Sequence, residues 1–436
     1  MILSHYIRTY PFEELPGHQL LYSTKRAAIL LLAEENLRAI EDGSISKDDA
    51  ELLTKTGILV HDREEEKREM SRMLDTLNEK HQVLNISVII NLDCNFSCIY
   101  CYEGDMKGKS YMSEETAGLL IDFIKEKFSQ GKKTVNIDFY GGEPMLSREM
   151  IKNISRTLKS FTESRGGEYT FTLVTNASLL KRETMQELAG LGLKAIKTTI
   201  DGPAEVHNKC RPFKSGAGSF DTIINNIKQT CDIVKTGIGG NYTRENYREF
   251  PALLDYMKED GLTPDKVYTV KFAPVMNRPE EDTSPADFHD GCLSVNEPWL
   301  LEADALLREE VLKRGFNTPK IIPSPCQVEI RDYYVVNHDG AIYKCPALIG
   351  KKAFEIGSLK EGVKDYTESH RLGNWKNNEC IECEYLPLCF GGCRYMKYAR
   401  DGNIDGTDCK RPYFDAALET LIKQEIRYRK VIRKSE

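Results

Sequence analysis

Residues 94–101 read Cys-Asn-Phe-Ser-Cys-Ile-Tyr-Cys, three thiols in eight residues at the spacing C-x3-C-x2-C, set directly after the apolar run Leu84 to Leu92. An apolar run bounded by polar residues predicts a buried strand, so the thiols belong to a tight loop at a strand end. Such a loop suits an iron–sulfur cube, in which each thiolate takes one iron. A cube has four irons and the loop offers three ligands, which leaves one iron for a group that is not protein. Electron carriers normally close all four corners, so an open corner implies chemistry. The competing readings are zinc, which normally takes a fourth protein ligand, and a disulfide framework, which belongs to small secreted domains.

The rest of the composition narrows the class. A chain of 436 residues has room for two or three domains. Its net charge of −7 argues against a nucleic-acid surface, which would show as a basic excess. The N-terminus lacks a secretory pattern, and the longest apolar stretch, Ala27 to Ala33, is too short to span a bilayer. The expectation is a soluble cytoplasmic protein with no membrane or nucleic-acid partner. Thirteen cysteines in such a chain point to metal, because cytosolic thiols stay reduced. Besides the three of the loop, seven lie between Cys326 and Cys409; Cys210, Cys231 and Cys292 are scattered and read as buried small hydrophobes.

The loop resembles that of radical S-adenosylmethionine (SAM) enzymes, which carry the same spacing with an aromatic residue, here Tyr100, just before the third cysteine. The resemblance implies that Cys94, Cys98 and Cys101 hold a [4Fe–4S] cluster and that its open iron binds the amino and carboxylate groups of SAM. An electron from the cluster then cleaves the sulfonium, and a 5′-deoxyadenosyl radical abstracts hydrogen from the substrate. An external electron donor such as a ferredoxin or flavodoxin is implied with it.

The surrounding chain has the matching rhythm. Strands are predicted at Leu84 to Leu92, Thr134 to Tyr140, Tyr169 to Val174, Lys194 to Ile200, a weaker one ending near Tyr242, and Val267 to Phe272. Helices are predicted at Ser113 to Phe128, Ser147 to Ser164, Lys181 to Leu191, Phe220 to Lys235 and Tyr247 to Glu259. Strands joined by crossovers of helical length indicate a parallel α/β sheet. The family form is a partial TIM-like (β/α)6 barrel with its chemistry at the strand C-terminal ends.

Those ends carry candidate residues. Gly141-Gly142-Glu143-Pro144 follows the second strand: the glycines let backbone approach a ligand and the carboxylate can receive an ammonium. Taken alone the motif is also compatible with a plain turn. At this place it matches the family's motif for the SAM amino group. Asn176, in Thr175-Asn176-Ala177, occupies the family's polar turn after the third strand. Thr199, two before Asp201, and Arg211, ten after it, match the family's SAM contacts, although Arg211 also fits a surface ion pair and His207 a hydrogen-bonded loop histidine.

Residues 1–80 carry no metal pattern. Strand-like runs at His18 to Ser23 and Ala27 to Leu32 precede a helix near Glu35, a helix from Ser46 to Lys55 and a short strand at Gly57 to Val60. Ser46 with Asp49 makes a helix cap. The order is similar to the winged-helix-like domain of radical SAM peptide maturases, which receives a precursor's leader peptide as an added strand; an extension that merely packs on the barrel is the alternative. Glu64 to Glu79 reads as a helical linker with a solvated face.

From Cys326 the spacing is Cys326-x13-Gly340-x4-Cys345, Cys380-x2-Cys383-x5-Cys389-x3-Cys393 and, after fifteen residues, Cys409. It resembles the SPASM domain of enzymes that modify peptides and proteins, with zinc ribbons as the alternative. The resemblance assigns Cys380, Cys383, Cys389 and Cys409 to one auxiliary [4Fe–4S] cluster and Cys326, Cys345 and Cys393 to a second. This makes three clusters in all, the second one thiolate short unless Cys292 supplies the fourth. The implied domains are 1–80 for leader recognition, 84–310 for the barrel and 315–436 for SPASM. Pro274 to Trp299 reads as an acidic, proline-broken connection, Glu302 to Arg314 as a helix and Phe414 to Arg433 as an amphipathic packing helix with a basic end.

Anaerobic sulfatase maturases of this architecture carry an Asp after the cysteine matching Cys345; here Pro346 stands there. The layout is similar to geopeptide-type and six-cysteine peptide maturases. It implies an enzyme that modifies a ribosomally made precursor peptide by joining a cysteine sulfur to a carbon as an intramolecular thioether. Carbon–carbon or other cross-linking without sulfur is the alternative within the class, and a non-catalytic iron–sulfur peptide-binding or redox protein the alternative outside it.

Overall fold

Inward and outward side chains alternate along the strands, and this alternation builds the sheet. In the computed structural model, which describes residues 1–277, 291–292 and 294–429, strands Val83–Asn91, Thr134–Gly141, Glu168–Val174, Leu193–Thr199, Lys235–Tyr242 and Val267–Pro274 pair in parallel in chain order. Their outer residues, Leu84, Ile86, Val88 and Ile90 on the first and Val135, Ile137 and Phe139 on the second, pack under helices Glu114–Ser129 and Arg148–Glu163 in one core. Every loop that follows a strand C-terminus therefore gathers at one end. The α/β fold and the six strands match the expectation. The helix expected to reach Lys235 ends at Thr230, because Lys235 opens the next strand. The helix expected at Glu302 starts at Pro298, where proline's missing N–H costs nothing.

The C-terminal part does not stand apart from this sheet. Tyr333–Val336 adds a further parallel strand on the free edge of the first, with Tyr333 opposite Asn85 and Val336 opposite Val88. An antiparallel run, Ala341–Tyr343, Gly357–Ser358 and Gly362–Val363, then continues the same sheet. The boundary expected at 315 is thus crossed by backbone hydrogen bonds, which periodicity cannot reveal.

The N-terminal strands Ile7–Pro11, His18–Ser23 and Ala28–Ala33 form a separate antiparallel sheet. One face, with Leu21 and Leu32, buries Ile40 and Leu53 of helices Glu34–Glu41 and Lys47–Lys55. The other, with Tyr10, Leu20 and Tyr22, packs on Tyr385, Leu388, Phe414, Leu418 and Ile422 of the C-terminal part. Ser46 caps its helix as expected, accepting from Asp49 N at 3.1 Å.

Helix Arg63–Lys80 corrects the reading as a solvated linker. Glu66 is buried, accepts from Ser4 Oγ at 2.6 Å and His5 N at 2.8 Å, and pairs with Lys25. Met70 and Leu74 pack with Tyr6 and Trp375. Its charges hide an apolar stripe too sparse to stand out in the sequence. The last helix runs Arg411–Arg429, opening before Phe414. Its basic end, and the segment with Pro279 and Pro285, lie outside the described residues.

Candidate active site

Two glycines decide where the cysteine loop sits. Gly141 (φ +127°) and Gly142 end the second strand against the backbone that leads into Cys94. A Cβ on Gly141 would lie 2.2 Å from Asn91 O, and one on Gly142 would lie 2.1 Å from Asp93 O. Gly142 N donates to Asn91 O at 3.0 Å and Glu143 N to Asp93 O at 2.7 Å. The close approach expected toward a ligand is thus first an approach to the chain's own loop.

Glu143 and Pro144 lie behind the cavity wall. The Glu143 carboxylate is fully buried and accepts from Met145 N at 2.9 Å, Thr175 Oγ1 at 2.7 Å and Asn176 N at 2.7 Å. It therefore braces the turns after the second and third strands. Asn176 borders the cavity but donates to Asn95 Oδ1 at 2.8 Å, tying the third strand to the loop.

Cys94, Cys98 and Cys101 line one cavity of about 410 Å3, a size that suits a bound small molecule. Its wall also carries Tyr100, Gly141, Gly142, Thr199 and Arg211. Burial holds the Cys94 thiol up at about 11 and opposes ionisation of Cys98, against which Lys107 pulls both down and Arg211 pulls Cys98 down. Two cations thus face the thiols.

Arg211 is held by a buried network: its Nη1 donates to Tyr100 Oη at 2.8 Å, Tyr100 donates to Asp201, and Asn241 Nδ2 reaches Tyr100 Oη at 3.0 Å. Arg211 Nε is buried without a partner, as is Glu103 Oε1 on the same wall. These orphaned groups, with three thiols and space beside them, fit a cluster and a ligand carrying charged ends.

His207 locks this network from behind. Its Nδ1 accepts from Asp201 N at 3.1 Å, so its Nε2–H points to Ser219 Oγ at 3.0 Å, and Ser219 Oγ donates to Arg211 O at 2.6 Å. Burial, aided by Arg211, lowers the imidazole to about 3, so it stays neutral. Because an unfolded histidine takes a proton near 6.5, the unfolded chain binds more protons between those values. The stability is complete above 6.5 and is lost as pH falls toward 3. The melting temperature of the cluster-free protein is expected to fall between pH 7 and 5 more steeply than that of His207→Gln, and equal slopes would refute the assignment.

Several wall residues were not singled out by sequence. Tyr102, Glu103 and Lys107 follow Cys101 within six positions, so proximity to the motif was the available signal. Tyr140 and Asn241 sit at strand ends that the βα rhythm marks. Pro346, Ala347 and Tyr395 come from the C-terminal part and close the same cavity, for which the sequence holds no signal. Glu103 is the one carboxylic acid on the wall among the described residues, and burial raises it to about 7.

The C-terminal thiols fall into two groups. Cys380, Cys383, Cys389 and Cys409 line a second cavity of about 50 Å3. Cys345 feels Cys326 and Cys393, and Cys393 feels Cys326, which draws these three together. Gly391 and Gly392, both with φ +78°, bring the two groups close: a Cβ on Gly392 would lie 2.0 Å from Asp408 O.

Cys292 lies in a cluster against which Cys393, one of the three, also packs. It is buried, pairs with Met276 and packs with Tyr242, Leu300 and Leu307, and the charges acting on it are Glu297 and Asp304. Cys292→Ala is expected to leave iron content and electron paramagnetic resonance of the reduced protein unchanged; loss of one auxiliary signal would make it a ligand.

Residues 88–257 match the Radical SAM superfamily. This part of the chain is a Radical SAM domain. The chain is 22% identical over 384 residues to a cysteine-type anaerobic sulfatase-maturating enzyme of Clostridium novyi, covering 77% of this chain and 96% of that one. It is 26% identical over 183 residues to Fe-coproporphyrin III synthase of Methanosarcina barkeri, of which it covers 42%. The fold of this enzyme is similar to that of anSMEcpe with bound AdoMet and Kp18Cys peptide (TM-score 0.63, 18% identity, 78% of this chain and 98% of that one). It also resembles Streptococcus suis SuiB bound to precursor peptide SuiA (TM-score 0.54, 15% identity, 94% of this chain and 98% of that one). SAM and a [4Fe–4S] cluster follow from the family. No described helix is long and apolar enough to cross a membrane.

Proposed function

We propose that this enzyme matures a ribosomally made precursor peptide by forming intramolecular thioether cross-links. The observation that carries the reading is one cavity closed by both halves of the chain: Cys94, Cys98, Cys101 and Arg211 on the barrel side, and Pro346, Ala347 and Tyr395, beside Cys345 and Cys393, on the other. Cys94, Cys98 and Cys101 would hold the SAM cluster, Cys380, Cys383, Cys389 and Cys409 a second, and Cys326, Cys345 and Cys393 a third. When bound, the first cluster and SAM supply a radical that abstracts hydrogen, and the others offer a path for the electrons that cross-linking releases.

The chain's own residues prepare the site. Arg211, oriented by Tyr100 and Asp201, offers its unpartnered Nε to the SAM carboxylate. Thr199 and the Gly141-Gly142 backbone border the same ligand. Tyr395 and Pro346 cover the cavity and exclude water. Proline at 346 cannot act as a base, which speaks against sulfatase maturation. The third set offers three thiols, and a substrate cysteine is the donor this reading assigns to its remaining place.

The N-terminal sheet supports leader binding. Both its faces are covered, by its own helices and by the C-terminal part, so its edge strands, Ile7–Pro11 and Ala28–Ala33, remain as the places where a peptide can add by backbone hydrogen bonds. The test is mass spectrometry of a cysteine-containing peptide encoded beside this gene, after anaerobic incubation with reconstituted enzyme, SAM and reductant. A loss of two hydrogens per cross-link, with the cysteine no longer alkylatable, is expected. The same loss with alkylatable cysteine would move the product to carbon–carbon bonds.

A further inference from the structure

Closed (β/α) barrels fill their interior with branched apolar side chains. Here the inner face of the first four strands is polar. Asn136 Nδ2 donates to Asn85 Oδ1 at 3.3 Å and Thr170 Oγ1 to Asn136 Oδ1 at 2.6 Å, while Thr172 donates to Asp138, which Lys197 approaches at 3.5 Å. These residues, Lys197 apart, line a separate cavity of about 490 Å3, within the size range of ligand sites. None of its wall residues belongs to the SAM cavity.

Its two ends have meaning. Side chains on one strand face repeat every second residue, so Asp138 leads to Tyr140 and Thr172 to Val174, both on the wall of the SAM cavity. The other end is bordered by Leu77 on helix Arg63–Lys80 and by His81 just after it, and that helix leaves the N-terminal sheet. A polar trough thus runs from the end of the leader-binding part toward the radical site.

Resting on the peptide-maturase reading, we propose that this trough binds the stretch of substrate peptide between leader and reacting residue. Its amides and hydroxyls suit peptide backbone and small polar side chains such as Gly, Ser, Thr and Asn. Its one carboxylate, Asp138, is faced by Lys197 from just outside the wall, so the occupant is an uncharged segment.

The test uses the full-length holoenzyme and the cysteine-containing peptide encoded beside this gene, made with a benzophenone side chain midway between leader and first cysteine. After photolysis, cross-links are expected on the strands carrying Asn136 and Thr170 or on Gln327, Ile330 and Tyr333 of the same wall; cross-links confined to the N-terminal sheet, or to the C-terminal part outside those three residues, would overturn the proposal. As a second arm, Thr170→Trp, which fills the trough, is expected to lower kcat/KM for the precursor at least tenfold. Peptide-free SAM cleavage and iron content should stay within twofold of wild type. Wild-type turnover of the precursor by Thr170→Trp would also overturn it, and if that variant fails to fold, the cross-link positions decide. If the wild-type enzyme binds the peptide but leaves its mass unchanged, the maturase reading fails, while the cross-links still judge the trough by themselves.

Discussion

Gly142→Ala is expected to cost the enzyme its SAM cluster. The added Cβ would meet Asp93 O at 2.1 Å, Asp93 C at 2.6 Å and Leu92 C at 2.9 Å, all backbone atoms that no rotamer change can move aside. Asp93 precedes Cys94 directly, so the clash is relieved only by moving the loop that carries the three thiols. Overpacking of this kind costs about 1–3 kcal/mol, which the fold survives. A displacement of about 1 Å at a reacting centre, however, costs on the order of a hundredfold in rate. The expected result is a folded protein with roughly four fewer irons per chain after reconstitution, and SAM cleavage at least a hundredfold below wild type. A variant with full iron and wild-type cleavage would mean that the loop tolerates the shift and that the glycines serve the ligand alone.

Removing residues 1–62 is expected to destroy the distal cysteine site, although none of its ligands lies in that segment. Tyr6 Oη donates to Ile381 O at 3.0 Å and Thr24 Oγ1 to Glu384 O at 2.7 Å, both on the turn that carries Cys380 and Cys383. Arg8 pairs with Glu384 at 2.5 Å and lies 5.0 Å over the Tyr385 ring. Tyr10, Phe12, Leu20 and Tyr22 bury themselves against Tyr385, Leu388 and the last helix. At about 1.5–3 kcal/mol for each large side chain, those four contacts amount to roughly 10 kcal/mol, comparable with the whole stability of a typical domain, about 5–15 kcal/mol. On the proposed three-cluster reading, the truncated chain is therefore expected to aggregate or to bind roughly four fewer irons than the full chain. The double variant Tyr6→Phe, Thr24→Val removes only three hydrogen bonds, from Tyr6 Oη to Ile381 O and from Thr24 Oγ1 to Tyr6 O and Glu384 O, worth about 1 kcal/mol each. It is expected to stay folded with a shifted spectrum of the distal cluster and an unchanged SAM cluster. Truncation that left all iron in place would make the N-terminal part an independent appendage.

The ten clustered thiols, the βα rhythm and the turns after each strand were legible because they are local. A C-x3-C-x2-C loop is set by neighbours in the chain, a strand by its period of two, a helix by its caps, and each leaves a mark within a dozen residues. Thr199 and Arg211 could be named because their offsets from Asp201 match the motif of the family the chain resembles, which is local as well.

What the tertiary structure alone decided depends on residues far apart in sequence. Pairing of Tyr333–Val336 with the first strand fuses two parts that the sequence separates at 315, because a strand carries no label for its partner. Glu143, which looks from its motif like a ligand-binding carboxylate, turns inward because Met145, Thr175 and Asn176 offer it three donors. Pro346 and Tyr395 reach the radical cavity only because that fusion brings them there. Sequence therefore determined the chemistry the chain carries, through ligands that must be close neighbours. The fold determined which of the remaining side chains face that chemistry, since burial and hydrogen bonding are settled only when distant segments meet.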